Sequence, residues 1–271
     1  MELPGKCFYF DNNWFPVGDF EQIVPMRGNH IYEVLRVVNG RALFAEDHFA
    51  RFANSLYNLQ LESPLTEREV DDILKELIAK NGLNICNLRF EAIPHEGKLL
   101  FAAYLYPFRY PLPTAYQHGV AVGSYEVERP NPHVKQSEVN DKVRQQLQII
   151  FESQKVFEVL LVDHLGNITE GSRTNVFFVK GNCLYSPPRG LLLEGITRKK
   201  VLEIAVDLDI KYVEQSISLS DINLFNACFL TGTSPKILPA NSVNEVRFDT
   251  QNEIVWQLIN RFNQLIEEYS R

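Results

Sequence analysis

The run Phe157-Glu158-Val159-Leu160-Leu161-Val162-Asp163 is almost unbroken in large apolar side chains. A strand with one wet face alternates polar and apolar residues. This one does not, so it reads as a strand in a sheet buried on both faces. Helical patterns lie on either side of it: Glu138 to Lys155 before, and the amphipathic stretch Gly195 to Leu208 after. Buried strands interleaved with helices define the α/β class. Further strands are predicted at Gly119 to Val127, Asn175 to Val179 and Ala227 to Thr231, and a closing helix at Asn252 to Tyr269.

The first hundred residues read differently. Tyr32 to Val38 is β-rich and runs into Asn39-Gly40, the strongest short hairpin signal, with Ala42 to Phe44 continuing beyond it. Cys7 to Phe10 is a short strand ended by the turn residues Asp11-Asn12-Asn13. Two helices follow, Asp47 to Leu61 and Glu67 to Ala79, the second with Thr66 as N-cap and Asn81-Gly82 as its stop. Strands are expected at Asn87 to Ile93 and Leu99 to Tyr106. Pro107 to Pro113 holds three prolines and reads as a connection. A chain of 271 residues accommodates two domains, here 1–110 (smaller, α/β) and 114–271 (larger, α/β).

The formal net charge of -7 and the lack of dense Lys/Arg runs argue against nucleic acid and anionic membranes as partners. No stretch has the roughly 20 apolar residues of a membrane span. The N-terminus has no basic region followed by an apolar one, so no secretory signal is expected and the chain reads as cytoplasmic. Cys7, Cys86, Cys183 and Cys228 lie far apart without metal-ligand spacing. They are expected to be free, buried thiols, and no metal site is expected.

Three stretches carry chemistry. In Asp163 to Asn175 the buried strand ends in a turn and the next strand brings in Glu170. On spacing alone this is an ordinary hairpin or a functional carboxylate. Gly195-Ile196-Thr197-Arg198 opens a helix with a small residue and a hydroxyl, leaving N–H groups suited to a phosphate or to a plain cap. Thr231-Gly232-Thr233-Ser234-Pro235 follows a buried strand as a small-residue turn that can form an anion nest.

Together these stretches resemble the class IV aminotransferases, the group of branched-chain aminotransferases, D-amino acid aminotransferases and 4-amino-4-deoxychorismate lyases. The resemblance runs from about Tyr32 to Pro239. Its most specific parts are Glu170-Gly171-Ser172-Arg173-Thr174-Asn175 and Gly195-Ile196-Thr197-Arg198. Tyr32-Glu33-Val34-Leu35-Arg36-Val37 and His48-Phe49-Ala50-Arg51 stand in the expected order before them. It implies the two-domain D-amino acid aminotransferase-like fold (fold type IV), a homodimer, and pyridoxal 5'-phosphate held between the domains. The wealth of aromatics in the first 32 residues, from Phe8 to Tyr32, suggests an exposed patch for a subunit contact or a ligand pocket, the alternative being that they pack under the second domain.

The resemblance also implies roles. Glu170 faces the ring nitrogen of the cofactor. Arg51, the backbone of Ile196 and Thr197, and the Thr233 hydroxyl hold its phosphate. Tyr32, Arg89 and Ser234 are the candidates for substrate contacts. The Schiff-base lysine is Lys135, 35 residues before Glu170, or its rival Lys142. The family pattern of a lysine followed by an asparagine is stretched here, since Asn140 lies five positions after Lys135, and Asp141 stands where branched-chain enzymes carry tyrosine. Arg89 and His95 sit in a different register from the pair that binds substrate in D-amino acid enzymes. Thr231-Gly232-Thr233 is closer to transaminases than to lyases. The expected activity is transamination between a small amino acid and a 2-oxo acid. The alternatives are pyruvate release from aminodeoxychorismate, and a cofactor-free dimeric scaffold of the same fold.

Overall fold

The computed structural model describes residues 3–25, 28–108, 110–128, 131–137 and 141–271, with the backbone alone at 141 and 142. The chain forms two compact units. The first comprises Met1–Arg109, Val134–Glu138 and Ile266–Arg271; the second comprises Tyr110–His133 and Val139–Leu265.

The first unit is built on β1 (Cys7–Phe10), β2 (Asn13–Pro16), the short α1 (Phe20–Ile23), β3 (Ile31–Val38), β4 (Arg41–Ala42), α2 (Ala45–Asn58), α3 (Glu67–Asn81), β5 (Cys86–His95) and β6 (Lys98–Tyr106). Its described strands form one antiparallel sheet in the order β2-β1-β6-β5-β3-β4. Asn39 and Gly40 both take positive φ, as the tight β3–β4 turn demands. β4 stops at Ala42, because Phe44 turns left-handed and starts α2 two residues earlier than the sequence pattern suggests. Thr66 and Glu69 close a reciprocal capping box on α3, and Gly82 in the left-handed region ends it.

In β3 alternate residues Ile31, Glu33, Leu35 and Val37 are buried. Ile31, Leu35 and Val37 pack under α2 and α3 with Phe49, Phe52, Leu74 and Leu77. The period of two thus sets the carboxylate of Glu33 on an otherwise apolar, helix-covered face. The opposite face packs Phe8, Phe20, Ile93 and Tyr104. This corrects the expectation of an exposed aromatic patch near the N-terminus. Phe8 and Phe20 are fully buried with ring centroids 5.1 Å apart, and Tyr9 lies edge-on to Trp14. A sheet with an apolar core on each face has twice the interior that a one-sided sheet offers, enough to take these rings.

Residues 134–137 lie along the edge of β3 that β4 leaves open. Tyr32 donates its N–H to the Lys135 carbonyl (3.0 Å), Ser137 donates to the His30 carbonyl (2.8 Å), and Ile31 pairs with Gln136. At the C-terminus Tyr269 packs against Phe44 and donates its hydroxyl to Glu46.

The second unit carries α4 (Pro113–His118), β7 (Val120–Glu126), α5 (Asp141–Gln154), β8 (Glu158–Val162), β9 (Asn167–Gly171), β10 (Asn175–Lys180), β11 (Cys183–Ser186), α6 (Ile196–Asp207), β12 (Lys211–Glu214), β13 (Ile217–Ser218), β14 (Ala227–Gly232), β15 (Lys236–Val243), β16 (Val246–Arg247) and most of α7 (Glu253–Tyr269). The sheet order is β12-β11-β10-β14-β15-β7-β8-β9-β13, with β16 on β15. The β15-β7-β8 core is parallel and the flanks are largely antiparallel. All five residues of β8 are buried. β15 escapes a sequence reading because Pro239 interrupts it. The strand tolerates this proline because pairing with β7 begins only at Ala240.

All four cysteines are free thiols; Cys86 and Cys228 are buried, whereas Cys7 and Cys183 are only half-buried. Among the described residues no helix is long and apolar enough to cross a membrane.

Candidate active site

In the second unit the site begins at β8. Glu158 is fully buried, and its carboxylate accepts hydrogen bonds from the Ser172 and Thr174 hydroxyls (2.6 and 3.0 Å) and the Val159 amide (2.9 Å). It therefore ties down the connection between β9 and β10. Sequence reasoning gave Glu158 no role. A lone acid inside an apolar strand is the signal that marks it, because a buried carboxylate requires donors.

Glu170, the fourth residue of β9, is 3% exposed. Its Oε2 accepts from the Leu193 amide at 3.1 Å and from Asn175 Nδ2 at 3.4 Å. Asn175, the first residue of β10, also donates to the Leu193 carbonyl (2.8 Å) and accepts from the Gly195 amide (3.2 Å). Two side chains thus fix the segment from Leu193 to Gly195, and with it the start of α6.

Gly195 is the N-cap of α6, and among the described residues no side-chain cap closes the helix. The amides of Ile196 and Thr197 stand in the first turn of a twelve-residue helix, where the helix dipole favours an anion. A Cβ on Gly195 would lie 2.2 Å from Asn175 Oδ1, so only glycine lets the asparagine approach this closely. Arg198 turns away from this end and is buried, donating to Ser186 and Tyr212.

Thr231 pairs with Asn175 across β14 and β10. Among the described residues its buried hydroxyl oxygen has no hydrogen-bond partner. The turn at Thr233, Ser234 and Pro235 follows, with Gly232 close to Thr174. Thr233 and Ser234 are half-buried there. Glu170, the start of α6 and the end of β14 are accordingly gathered around Asn175.

The first unit holds the remaining candidates. Lys135 Nζ lies 5.2 Å from the centroid of the Tyr32 ring, and the Arg89 guanidinium 4.0 Å from the same centroid. Arg89 is held by Glu91, with Nε–Oε2 at 2.9 Å and a second contact through Nη2. Glu91 also accepts from the Tyr104 hydroxyl (2.9 Å) and lies 3.3 Å from His30 Nδ1. His95 stands apart, at the exposed end of β5. Arg51 of α2 donates to both oxygens of Glu33, Nε to Oε1 at 2.7 Å and Nη2 to Oε2 at 2.6 Å. His48 Nδ1 lies 2.7 Å from the same Oε2. Burial alone would push the Glu33 carboxyl up. The charge and hydrogen bond of Arg51, with the hydrogen bond from His48, outweigh it and bring its pKa down to about 2. Burial lowers the pKa of His48 despite Glu33 beside it. Lys142 belongs to α5, but its side chain lies outside the described residues, as does Asn140. Among the described residues no group of three or more His, Cys, Asp or Glu could hold a metal ion.

The Amino-transferase class IV family matches residues 30–243. The chain is 28% identical over 232 residues to the D-alanine aminotransferase of Bacillus licheniformis, covering 80% of each chain. It is also 28% identical over 259 residues to the probable branched-chain-amino-acid aminotransferase of Rickettsia felis, covering 88% of this chain and 87% of that one. Among solved structures, the Escherichia coli branched-chain amino acid aminotransferase superposes with a TM-score of 0.84 at 20% identity, over 96% of this chain and 94% of that one. The chain belongs to the class IV aminotransferases, an enzyme family, and has their two-domain α/β fold.

Proposed function

We propose that this protein is a pyridoxal-phosphate-dependent aminotransferase acting on a small amino acid and a 2-oxo acid. The observation that carries the reading is the pairing of a buried, doubly anchored carboxylate, Glu170, with the uncapped start of α6. A ring nitrogen to be kept protonated and a phosphate monoester need these two groups. The orphan Thr231 hydroxyl fits a cradle that a ligand completes.

Ile196 and Thr197 amides, the Thr233 hydroxyl and Arg51 would hold the phosphate, the last as a bidentate donor that a lysine cannot replace. Glu170 would hold a proton at the ring nitrogen. When bound, the cofactor supplies an electron sink for the substrate α-carbon. The Lys135 amine would take the proton from that carbon and return it, as general base and acid. The Lys135 backbone is pinned to β3 and its ammonium stands by the Tyr32 ring, so its reach is defined by the sheet rather than by a loop. Arg89 stacked on Tyr32, and Ser234 in the β14–β15 turn, are the proposed contacts for the substrate.

Borohydride reduction of the cofactor-loaded protein, followed by peptide mapping, tests the assignment. The pyridoxyl group is expected on Lys135. Finding it on Lys142 moves the base to α5, and finding none after incubation with excess cofactor overturns the enzymatic reading. A turnover screen of L- and D-amino acids beside aminodeoxychorismate then separates transamination from pyruvate release.

A further inference from the structure

Glu33 occupies a position that should be apolar. It lies between Ile31 and Leu35 on the helix-covered face of β3, fully buried. A carboxylate there is costly unless donors surround it. The donors come from one helix face: His48 and Arg51, three residues apart on α2, both reach it. A pair that served only to dock α2 on the sheet could be replaced by apolar side chains at little cost in stability. Arg51 Nε and Nη2 use one edge of the guanidinium, each on its own carboxylate oxygen. That contact fixes the plane of the fork, which the flexible arginine stem cannot do. His48 holds the carboxylate in turn. An ionised carboxylate only accepts, so His48 Nδ1 carries the proton and donates to Oε2.

We infer that Glu33, braced by His48, is a positioning residue that presets the Arg51 guanidinium for a phosphate monoester. The inference rests on the cofactor reading above, in which Arg51 grips the cofactor phosphate. Arg51 then binds without first losing the freedom of a long side chain, and orientation is gained before the ligand arrives. Neither Glu33 nor His48 touches the ligand in this arrangement. Both act through Arg51.

The test compares pyridoxal 5'-phosphate with pyridoxal, which lacks the phosphate, as ligands of the apoprotein. Titrations followed by absorbance and by calorimetry give both dissociation constants without turnover. Glu33→Gln should weaken the phosphorylated ligand about tenfold, the worth of roughly one oriented charge-assisted hydrogen bond. Pyridoxal should bind the variant as it binds the wild type. Equal weakening of both ligands, or of neither, overturns the inference. Circular dichroism and melting check that the variant folds. If it does not, the His48 pair decides: His48→Gln keeps a donor toward Glu33 and should preserve the ratio of the pyridoxal 5'-phosphate Kd to the pyridoxal Kd, whereas His48→Leu should raise it severalfold. Equal ratios in the two variants overturn the inference. Inorganic phosphate separates this result from a failure of the cofactor reading. If the wild type binds phosphate through Arg51 in a Glu33-dependent way but not pyridoxal 5'-phosphate, the cofactor reading falls and the clamp stands. Phosphate binding unaffected by both Arg51→Ala and Glu33→Gln removes the clamp.

Discussion

Gly195→Ala tests how the second unit holds the start of α6. The backbone at 195 has φ -66° and ψ 140°, which alanine adopts freely, so no dihedral strain enters. The added Cβ would stand 2.2 Å from Asn175 Oδ1 and 3.4 Å from its Cγ. Asn175 cannot yield cheaply, because it is 4% exposed and its amide is committed at 2.8 Å to the Leu193 carbonyl, at 3.4 Å to Glu170 and at 3.2 Å to the Gly195 amide. Rotating it away breaks these bonds inside the protein. Leaving buried groups unpaired costs about 1–3 kcal/mol each, though relaxation recovers part of it. The reduced freedom of the unfolded chain returns about 0.4–1 kcal/mol. The expected net loss is about 2–3 kcal/mol.

Urea denaturation reads this loss. The chain has two tryptophans, Trp14 in the first unit and Trp256 in the second. Fluorescence in a Trp14→Phe background therefore follows the second unit. The decisive experiment is a double-mutant cycle with Asn175→Ala. With the asparagine side chain gone, the methyl group added at position 195 meets no Oδ1, so Gly195→Ala should cost almost nothing in that background. The coupling should be about 2 kcal/mol, within the range seen for residues in direct contact. Additive single effects, or a Gly195→Ala variant within about 0.5 kcal/mol of wild type, would refute the claim that Asn175 sets the start of α6.

Three further predictions follow the same geometry. Arg51→Ala should weaken cofactor binding about ten- to hundredfold while leaving the rate at saturating cofactor nearly intact, since a handle remote from the reacting bond contributes uniform binding; unchanged affinity in a spectroscopic titration removes Arg51 from the site. Glu170→Gln should leave the cofactor bound but lower turnover by about a hundredfold or more, because an amide does not hold the ring nitrogen protonated; a rate within a few-fold of wild type shows that Glu170 has another role. Acid should destabilise the first unit in two stages. His48 is harder to protonate in the folded state than at its ordinary 6.5, so the unfolded chain takes up more protons and stability falls as pH drops below about 6.5. Glu33, held at about 2 instead of 4.5, gives a contribution complete above about pH 4.5 and lost toward pH 2, of about 3 kcal/mol. Melting from pH 3 to 8 should show both stages, with the upper one flattened in His48→Gln. An identical profile in that variant would place the titrating group elsewhere.

The features legible in the sequence were those whose cause is local. Asn39-Gly40 makes a tight hairpin whatever surrounds it, and Thr66 with Glu69 caps a helix from within four residues. The apolar run of β8 declares a buried strand, and Gly195 announces a helix start. The motif names Glu170 as a candidate but says nothing of its setting. The Leu193 amide that anchors it lies 23 residues away, across an intervening hairpin. The partnership of Glu33 with Arg51 was hidden for a different reason. Periodicity assigns position 33 to the core and then expects an apolar residue. The acid there looks like an irregularity until α2 is laid on the sheet. Lys135 shows the limit most sharply. Nothing in Val134 to Ser137 reads as a strand, because these residues pair with β3 along an edge about a hundred positions earlier in the chain. β3 lends that edge only where the two-residue β4 fails to cover it. Residues inserted after Ala42 that continue its pairing register with Val37 as far as Tyr32 would displace Lys135 while leaving Arg51 on Glu33. Cofactor attachment would then be lost and phosphate binding kept. That outcome separates the two roles proposed for the first unit without touching Lys135 or Arg51, and loss of both together would mean that the strand edge and the clamp are one structure.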